Sequence, residues 1–413
     1  MNKKETTFTG SETLIETILS KVSGIKKCKA KFISACVLLF MSIKGKINFL
    51  QLERYGKYRE STYRSNFEQS FDFMEFNFHL IDTVCSSERF LAFDPSYLPK
   101  SGKNSYGLGK YWSGVANRAK KGLEIGGIAV VDVENRSAFH LEAVQTPSKA
   151  VLEGEGKTLV THYLHLLLER KATLENMAEY LVVDGYFAKH DFVEGIVENS
   201  QLEVISKLRE DADCLYLYQG EKTGKRGRPK SYDGKVNWKS IDQNHFQLAE
   251  ETENYRLFTA IVYSRSLKRK IKVVYTQFLD EMKKVIRYKI FFSTALHAEA
   301  SLIVDYYRLR FHIEFLFRDA KQFTGLTHCQ AISQNKIYFH TNMALTTVSI
   351  AKAVHWMSIT QKERAAFSMA DIKTMYFNEL LMNRIFQVFE FNPNLIENKQ
   401  QLESIRKWGT IAA

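Results

Sequence analysis

Two aspartates stand where a fold can bring carboxylates together. Asp94 ends the apolar run FLAF, and Asp184 ends the apolar run YLVV. Both runs have the length and composition of buried strands, and the carboxyl ends of strands are where α/β sheets build active sites. Either aspartate alone is explained as well by a turn or a helix cap. Together they predict two carboxylates that converge.

A third acidic residue lies in the periodic stretch SLIVDYYRLRFHIEFLFRDAKQF. Its spacing predicts one helix with a polar face about 60° wide, whereas Asp305 and Asp319 fall on the far side. Large apolar neighbours indicate a helix packed on several sides, where unpaired charge is costly. The polar face therefore needs a functional reason. Its members are Tyr307, Arg310, Glu314 and Lys321.

These residues together resemble a known family. The segments FDPSYLPKSG and YLVVDGYF, with the spacing Y-x2-R-x3-E-x6-K, are similar to the D-D-E signature of bacterial insertion-sequence transposases. More narrowly, they resemble the cut-and-paste branch that carries the Y-R-E-K helix. The resemblance spans roughly residues 88–330. It implies a ribonuclease-H-like core that binds double-stranded DNA, both transposon ends and target, and assembles as a homodimer on it.

The resemblance also implies a two-metal phosphoryl transfer. Carboxylate oxygens suit Mg²⁺, with Mn²⁺ as a substitute, and two such ions neutralise the attacking and leaving oxygens. Asp94 is expected to bridge both ions, with Asp184 holding one and Glu314 the other. Water attacks first and frees a 3′-hydroxyl, which then attacks a second phosphate.

The resemblance implies that three further residues of the helix contact phosphates beside the metals. Their donors suit this role, and a guanidinium can bind a phosphate bidentately. They are Tyr307, Arg310 and Lys321. His312 lies off this face and is interpreted as structural.

The whole chain is expected to be a multi-domain α+β protein. A ribonuclease-H-like core, a mixed sheet with flanking helices, is interrupted by a β-rich insertion and flanked by helical terminal regions. The expected units are a helical, possibly DNA-binding region at 1–87, the first part of the core at 88–212, the insertion at 213–296, the helix with the catalytic glutamate at 297–330, and a helical region at 331–413.

Within the first unit, the segment around Gly56 predicts a helical hairpin. Ser61 and Thr62 are the expected N-caps of its second helix. Arg59, Tyr63 and Arg64 would then lie near its start, where a recognition helix meets base edges, although most helical hairpins bind no DNA.

The segment GEKTGKRGRPKSYDGKVNWKS is rich in lysine and arginine. Its core, RGRP, resembles the AT-hook, which lays arginines along the minor groove. DNA contact is expected from Lys225, Arg226, Arg228 and Lys230. Trp238 has two explanations, stacking on an unpaired base or packing in the insertion, and an exposed hairpin tip explains the loop itself nearly as well. The lysines that follow Asp94, among them Lys100, are further candidates for backbone contact.

The composition agrees with a polyanionic partner. The chain has 413 residues, with 58 Lys and Arg against 46 Asp and Glu, a formal net charge of +12. Five scattered cysteines support neither a disulfide framework nor a zinc site. The N-terminus lacks the apolar core of a signal peptide, and the longest apolar run, 32–43, is too short to span a membrane. A soluble, cytoplasmic protein associated with DNA is expected.

Two other functions remain open. One is a catalytically silent DNA-binding regulator with the same fold, which the presence of all three carboxylates argues against. The other is a nuclease that cuts without strand transfer, since hydrolysis and transfer use the same kind of site.

Overall fold

The computed structural model describes residues 7–221, 229–357, 359–360, 367–389 and 399–411. The region before the first strand is helical, as its periodicity predicts. In the described residues its helices are α1 (Thr7–Leu19), α2 (Lys27–Ser42), α3 (Phe49–Tyr55), α4 (Glu60–Glu68) and α5 (Phe73–Val84).

The hairpin of α3 and α4 turns at Gly56. A Cβ there would lie 2.6 Å from the carbonyl oxygen of Leu52 in α3 and even closer to the hydroxyl of Tyr63 in α4, so the turn between the two helices requires glycine. Helix α4 begins earlier than expected, with Arg59 at the N-cap. The prediction that Ser61 or Thr62 caps this helix is therefore wrong.

Residues of α4 that were predicted to meet base edges are engaged within the protein. Tyr63 is fully buried, and its ring packs 5.6 Å from that of Phe32. The guanidinium of Arg64 is paired with Glu60 one turn earlier. Base contact by Tyr63 is thus contradicted, because its side chain belongs to the core.

A single mixed sheet runs through the middle of the described chain. Its strand order is β2-β3-β1-β5-β6-β12-β11-β10-β7-β8, with β4 paired to β3 and β9 paired to β10. The strands are β1 (Arg89–Pro99), β2 (Gly109–Ser113), β3 (Arg118–Asp132), β4 (Ser137–Gln145), β5 (Tyr180–Val183), β6 (Glu203–Leu208), β7 (Cys214–Leu217), β8 (Tyr232–Lys235), β9 (Gln247–Glu251), β10 (Tyr255–Ser264), β11 (Arg269–Leu279) and β12 (Val285–Ser293).

Five of these strands form the expected ribonuclease-H-like core. The antiparallel strands β4, β3 and β1 are followed across the sheet by β5 and β6, which run parallel to β1. The connections between β4 and β6 are helical, as a parallel pairing requires. They comprise α6 (Lys149–Gly154), α7 (Leu159–Leu168), α8 (Lys171–Met177), a short 3-10 helix (Gly185–Phe187) and α9 (His190–Asn199).

The β-rich segment after the core extends the same sheet. Strand β12 pairs antiparallel with β6, with Phe291 opposite Lys207. Strands β11, β10, β7 and β8 continue outward from there. The segment expected as an insertion is therefore hydrogen-bonded to the core.

Strand β1 is longer than the sequence predicts. The apolar run FLAF predicts a short strand that ends at Phe93, but β1 continues to Pro99 along its long antiparallel partner β3. Pairing with β5 stops where Phe93 lies opposite Val183. Pro95 is tolerated beyond that point because it removes no hydrogen bond to β5.

Helices follow the sheet. The predicted continuous helix is two helices that meet at Arg310 and Phe311, where the amide of Glu314 donates to the carbonyl of Phe311 at 3.0 Å in a tight 3-10 turn. No helix in the described ranges is long and apolar enough to cross a membrane. The helices are α10 (Ala300–Leu309), α11 (His312–Phe323), α12 (Gln334–Met357), α13 (Met369–Phe389) and α14 (Lys399–Lys407).

Helix α12 covers the outer edge of β4 and hydrogen-bonds to its backbone. Asn342 Oδ1 accepts from the amide of Ala143 at 2.8 Å, and its Nδ2 donates to the carbonyl of the same residue at 2.9 Å. Ser349 Oγ accepts from the amide of His140, and Lys352 Nζ donates to the carbonyl of Ala138. A buried strand edge needs such partners, because an unpaired backbone group is costly away from water.

We predict that Asn342→Ala lowers the free energy of unfolding by about 3 kcal/mol, because it leaves buried backbone groups of β4 without partners. Urea unfolding followed by circular dichroism measures the change. Asn199→Ala is the matched control, since this exposed asparagine donates only to Gly195 and water can replace it. Equal losses in the two variants would contradict the role given to the covered edge.

Candidate active site

The sheet brings the two strand-end aspartates side by side. Phe93 and Val183 are opposite each other in parallel strands, and Asp94 and Asp184 are the next residues in each. Parallel neighbouring strands lie about 4.8 Å apart, so the two aspartates lie next to each other at the carboxyl ends of their paired segments.

Helix α11 reaches this place because β3 carries glycine opposite Asp94. Gly127 pairs with Asp94, and a Cβ on Gly127 would lie 2.6 Å from the ring of Phe317. A larger residue would push α11 away from the sheet. The glycine thus positions the helix that carries Glu314.

Side chains of α10 and the turn after it link the three acids. The hydroxyl of Tyr307 donates to Asp184 Oδ1 at 3.2 Å. Arg310 lies between the other two, with Nη1 3.6 Å from Asp94 Oδ1 and Nη2 3.4 Å from Glu314 Oε1. The break between α10 and α11 therefore leaves these residues on one side, as the spacing predicts.

Asp94 carries the most perturbed charge of the site. Burial, together with repulsion from Glu314 and Asp184, raises the pKa of this carboxyl to about 7, although the positive charges of Arg310 and Lys321 oppose the shift. Mutual repulsion among the three acids is the mark of carboxylates that share one site.

Lys321, the fourth residue of the predicted polar face, is hydrogen-bonded to Ser96, a residue that the sequence analysis did not identify. Its Nζ donates to Ser96 Oγ at 2.9 Å, and burial lowers the pKa of this lysine while Asp94 opposes that change. Ser96 follows Asp94 by two positions in β1 and so shares its side of the strand. The sequence predicts this shared side only if the strand is taken to continue past Asp94.

The donor chemistry of the site fits a divalent metal. Three carboxylates supply hard oxygen ligands of the kind that Mg²⁺ prefers. In the described part of the chain, however, no three acidic, histidine or cysteine side chains are grouped closely enough to hold an ion as they stand. Arg310 now supplies the positive charge between Asp94 and Glu314. A metal would have to share or displace that guanidinium.

The acids expected on the far side of the helix lie outside this cluster. Asp305 is exposed and 3.7 Å from Arg308. Asp319 is buried and 2.9 Å from Arg318. Because Asp319 is buried and ion-paired whereas Asp305 is exposed, Asp305 is the better control for substitution. His312 contacts the ring of Phe315 and none of the acids.

The basic loop is only partly described. Lys225, Arg226 and Arg228 lie outside the described residues. Lys230 is exposed, and its Nζ is 2.9 Å from Asp233 Oδ1.

The side chains of Trp238 and Lys100, which were candidates for DNA contact, are bound within the protein. Trp238 is buried, its Nε1 donates to the carbonyl of Ala212 at 2.7 Å, and its ring stacks with Tyr275, so the packing explanation holds and base stacking is wrong. Lys100 is turned inward, where its Nζ donates to the carbonyl of Ala331 at 2.8 Å. Both side chains satisfy polar groups inside the fold.

We predict that Asp94→Asn flattens the pH dependence of stability in metal-free protein. Because the pKa of Asp94 is raised to about 7, its contribution is present at low pH and is lost as pH rises through 7. The wild type should therefore lose more unfolding free energy between pH 5 and pH 8 than the variant does. Urea unfolding in EDTA at both pH values measures this difference, and Asp305→Asn should behave like the wild type. Identical pH dependence in wild type and Asp94→Asn would refute it.

The family model described as the transposase DDE domain matches residues 151–350, somewhat less than half of the chain. The matched segment contains Asp184 and Glu314, whereas Asp94 precedes it. No curated protein matches the chain.

One similar solved structure is a piggyBac transposase, in a synaptic complex with hairpin DNA, studied by cryo-electron microscopy. The alignment has a TM-score of 0.41 and 10% sequence identity, and it covers 97% of this chain and 83% of that one.

The family match concerns the segment that supplies two of the three acids and all of α10 and α11. By that match the enzyme is a transposase, which is a polynucleotidyl transferase.

Proposed function

We propose that this enzyme cleaves DNA at the ends of an insertion sequence and transfers the freed strands to a target, as cut-and-paste transposases of the Y-R-E-K type do. The observation that carries the proposal is the convergence of Asp94, Asp184 and Glu314, linked by Tyr307 and Arg310. Three partly buried carboxylates that lie close together destabilise the folded protein. Their presence therefore favours a functional role for them.

In this proposal the three carboxylates hold two Mg²⁺ ions, with Mn²⁺ able to replace them. The bound ions neutralise charge on the attacking and leaving oxygens of an in-line displacement. Tyr307 orients Asp184 by its hydrogen bond. Lys321 is positioned by its hydrogen bond to Ser96, and its proposed role is to contact a phosphate beside the metals.

Arg310 is suited to bind the phosphate that reacts. Its Nε and Nη1 are buried, and no hydrogen-bond acceptor reaches either atom. Buried donors without acceptors favour an anionic ligand that supplies them. In the first step a water oxygen forms the new bond to phosphorus and the 3′-oxygen leaves as a hydroxyl. In the second, that hydroxyl attacks a target phosphate and displaces another 3′-oxygen.

Double-stranded DNA is the proposed partner, in the form of transposon ends and target. The net charge of +12 favours a polyanion. The loop at 222–230 remains a proposed contact because of its basic composition, with Lys225, Arg226, Arg228 and Lys230 as its cations.

We also propose that the enzyme works as a homodimer on DNA, in the cytoplasm. The C-terminal helices are the proposed contact. Helix α13 exposes Leu381, Ile385 and Val388 at helical spacing, which is an apolar stripe without a described cover.

A nuclease without strand transfer is the alternative that shares this chemistry. A strand-transfer assay with a pre-cleaved transposon end separates the two, since only a transposase joins that end to a second DNA. Hydrolysis alone would support the nuclease. Binding without either reaction would support the silent regulator.

Neutral substitutions at the carboxylates are expected to abolish cleavage and leave DNA binding nearly unchanged. Metal positioning needs anionic oxygen, whereas affinity comes mainly from phosphate contacts elsewhere. Cleavage of a labelled end and fluorescence anisotropy measure the two properties for Asp94→Asn, Asp184→Asn and Glu314→Gln. Asp305→Asn should remain active. An inactive control beside an active Glu314→Gln would mean that the glutamate is wrongly assigned.

Arg310→Gln is expected to tighten metal binding in the absence of DNA while it impairs cleavage. The guanidinium stands between two proposed ligands, and removing a charge a few ångströms away changes electrostatic energy on the order of 1–2 kcal/mol, roughly tenfold in affinity. Titration with Mn²⁺, followed by electron paramagnetic resonance of the free ion, measures this. Arg318→Gln, on α11 and paired with Asp319, should bind Mn²⁺ as the wild type does. Weaker Mn²⁺ binding by Arg310→Gln would show that the guanidinium does not compete with metal.

A further inference from the structure

Cations that the proposed reaction does not use line the sheet next to Asp184. Lys207 lies on β6, and Arg287 and Lys289 lie on β12. Phe291 is directly opposite Lys207, and alternate residues of β12 share its face, so all three cations point to one side. We name them the β6–β12 basic face.

This face adjoins the active site. The ring of Phe291 packs 4.9 Å from that of Tyr307, whose hydroxyl donates to Asp184. On the other side, a Cβ added to Gly185 would lie 3.1 Å from the carbonyl oxygen of Lys207. The backbone of Lys207 therefore lies beside the residue that follows Asp184.

The positive charge of the β6–β12 basic face is not neutralised within the described protein. None of the three cations forms an ion pair with a described carboxylate. Burial lowers the pKa of Lys289, and repulsion from Lys207, Arg287 and Arg308 lowers it further. Arg287 is exposed and lies over the ring of Phe278, at 4.7 Å from its centre. Like charges held together at such a surface favour a polyanionic ligand.

The spacing of the cations fits a phosphodiester chain. Neighbouring strands are about 4.8 Å apart, and alternate residues of one strand are roughly 7 Å apart. A DNA strand advances about 3.4 Å along the helix axis per nucleotide, so steps of this size match one or two phosphates. The cations lie along two neighbouring strands rather than around one point, which suits a backbone better than a small anion.

We propose that the β6–β12 basic face binds the backbone of the DNA duplex that continues from the cleaved phosphate, on the Asp184 side of the active site. The inference rests on the proposed function and assigns the path of its substrate. Lys207 contacts the phosphate nearest the carboxylates, and Lys289 and Arg287 contact those farther out.

The experiment uses the 413-residue chain and a fluorescein-labelled 30-base-pair duplex, in EDTA so that no DNA is cleaved. Anisotropy gives the affinity across a salt series for the wild type and for the variant Lys207→Gln/Arg287→Gln/Lys289→Gln. Each lost phosphate contact should reduce the logarithmic salt slope by about 0.9, or about 2.7 for the three. The triple variant should also bind more weakly.

The matched control is Lys149→Gln/Lys157→Gln/Lys336→Gln. It removes the same net charge, but each of these lysines is already paired with a glutamate. Its slope should stay near that of the wild type. Thermal unfolding checks that each variant is folded, and Lys289→Gln alone, with a slope loss of about 0.9, replaces the triple variant if that one does not fold.

Equal slopes for the basic-face and control variants would overturn the inference. That result is distinguishable from failure of the proposed function, which would appear as a wild type that neither cleaves nor joins DNA in Mg²⁺. A lower slope in the basic-face variant alone would support the DNA path whichever reaction the enzyme performs.

Discussion

The site depends on the parallel pairing of β1 with β5, which stops at Phe93 and Val183. Hydrogen bonds fix the two strands in register, so the first residue beyond the pairing on each strand is held near its counterpart. A shift by one residue would turn Asp94 into the opposite face of the sheet. The backbone ladder, rather than any contact between acids, therefore keeps two like charges together.

Electrostatic balance is the second constraint, and it works against stability. Burial and two neighbouring carboxylates raise the pKa of Asp94, while Arg310 is the main opposing influence. The guanidinium itself has buried donors without acceptors. Buried donors without acceptors destabilise the protein when no ligand is bound. The same donors are useful where a charged substrate must bind.

Much of this site is readable in the sequence because its residues follow simple periodicities. Asp94 and Asp184 end apolar strands, and Tyr307, Arg310 and Glu314 recur at helical spacing. The helix break after Arg310 was not readable, because neither proline nor glycine marks it and the tight turn depends on packing. The length of β1 was missed because Pro95 looks like the start of a loop when its partner strands are unknown.

Other errors arose where one residue type suits two environments. Tyr63 and Trp238 carry polar groups on large rings, and these serve DNA contacts or core packing equally well. Only the burial of each ring and, for Trp238, its bond to Ala212 decides the matter. The pairing of β12 with β6 was also beyond sequence reasoning, since it joins segments that are distant in the chain.

The covered edge of β4 has a consequence for how the chain is made. Strand β4 leaves the ribosome well before Asn342 and Ser349, which supply its hydrogen-bond partners. At a synthesis rate of about 5–20 residues per second, the interval is on the order of ten seconds or more. Throughout it, the nascent chain displays an open edge that other strands can join. This interval is therefore the stage of synthesis at which the emerging sheet is most open to pairing with strands of other chains.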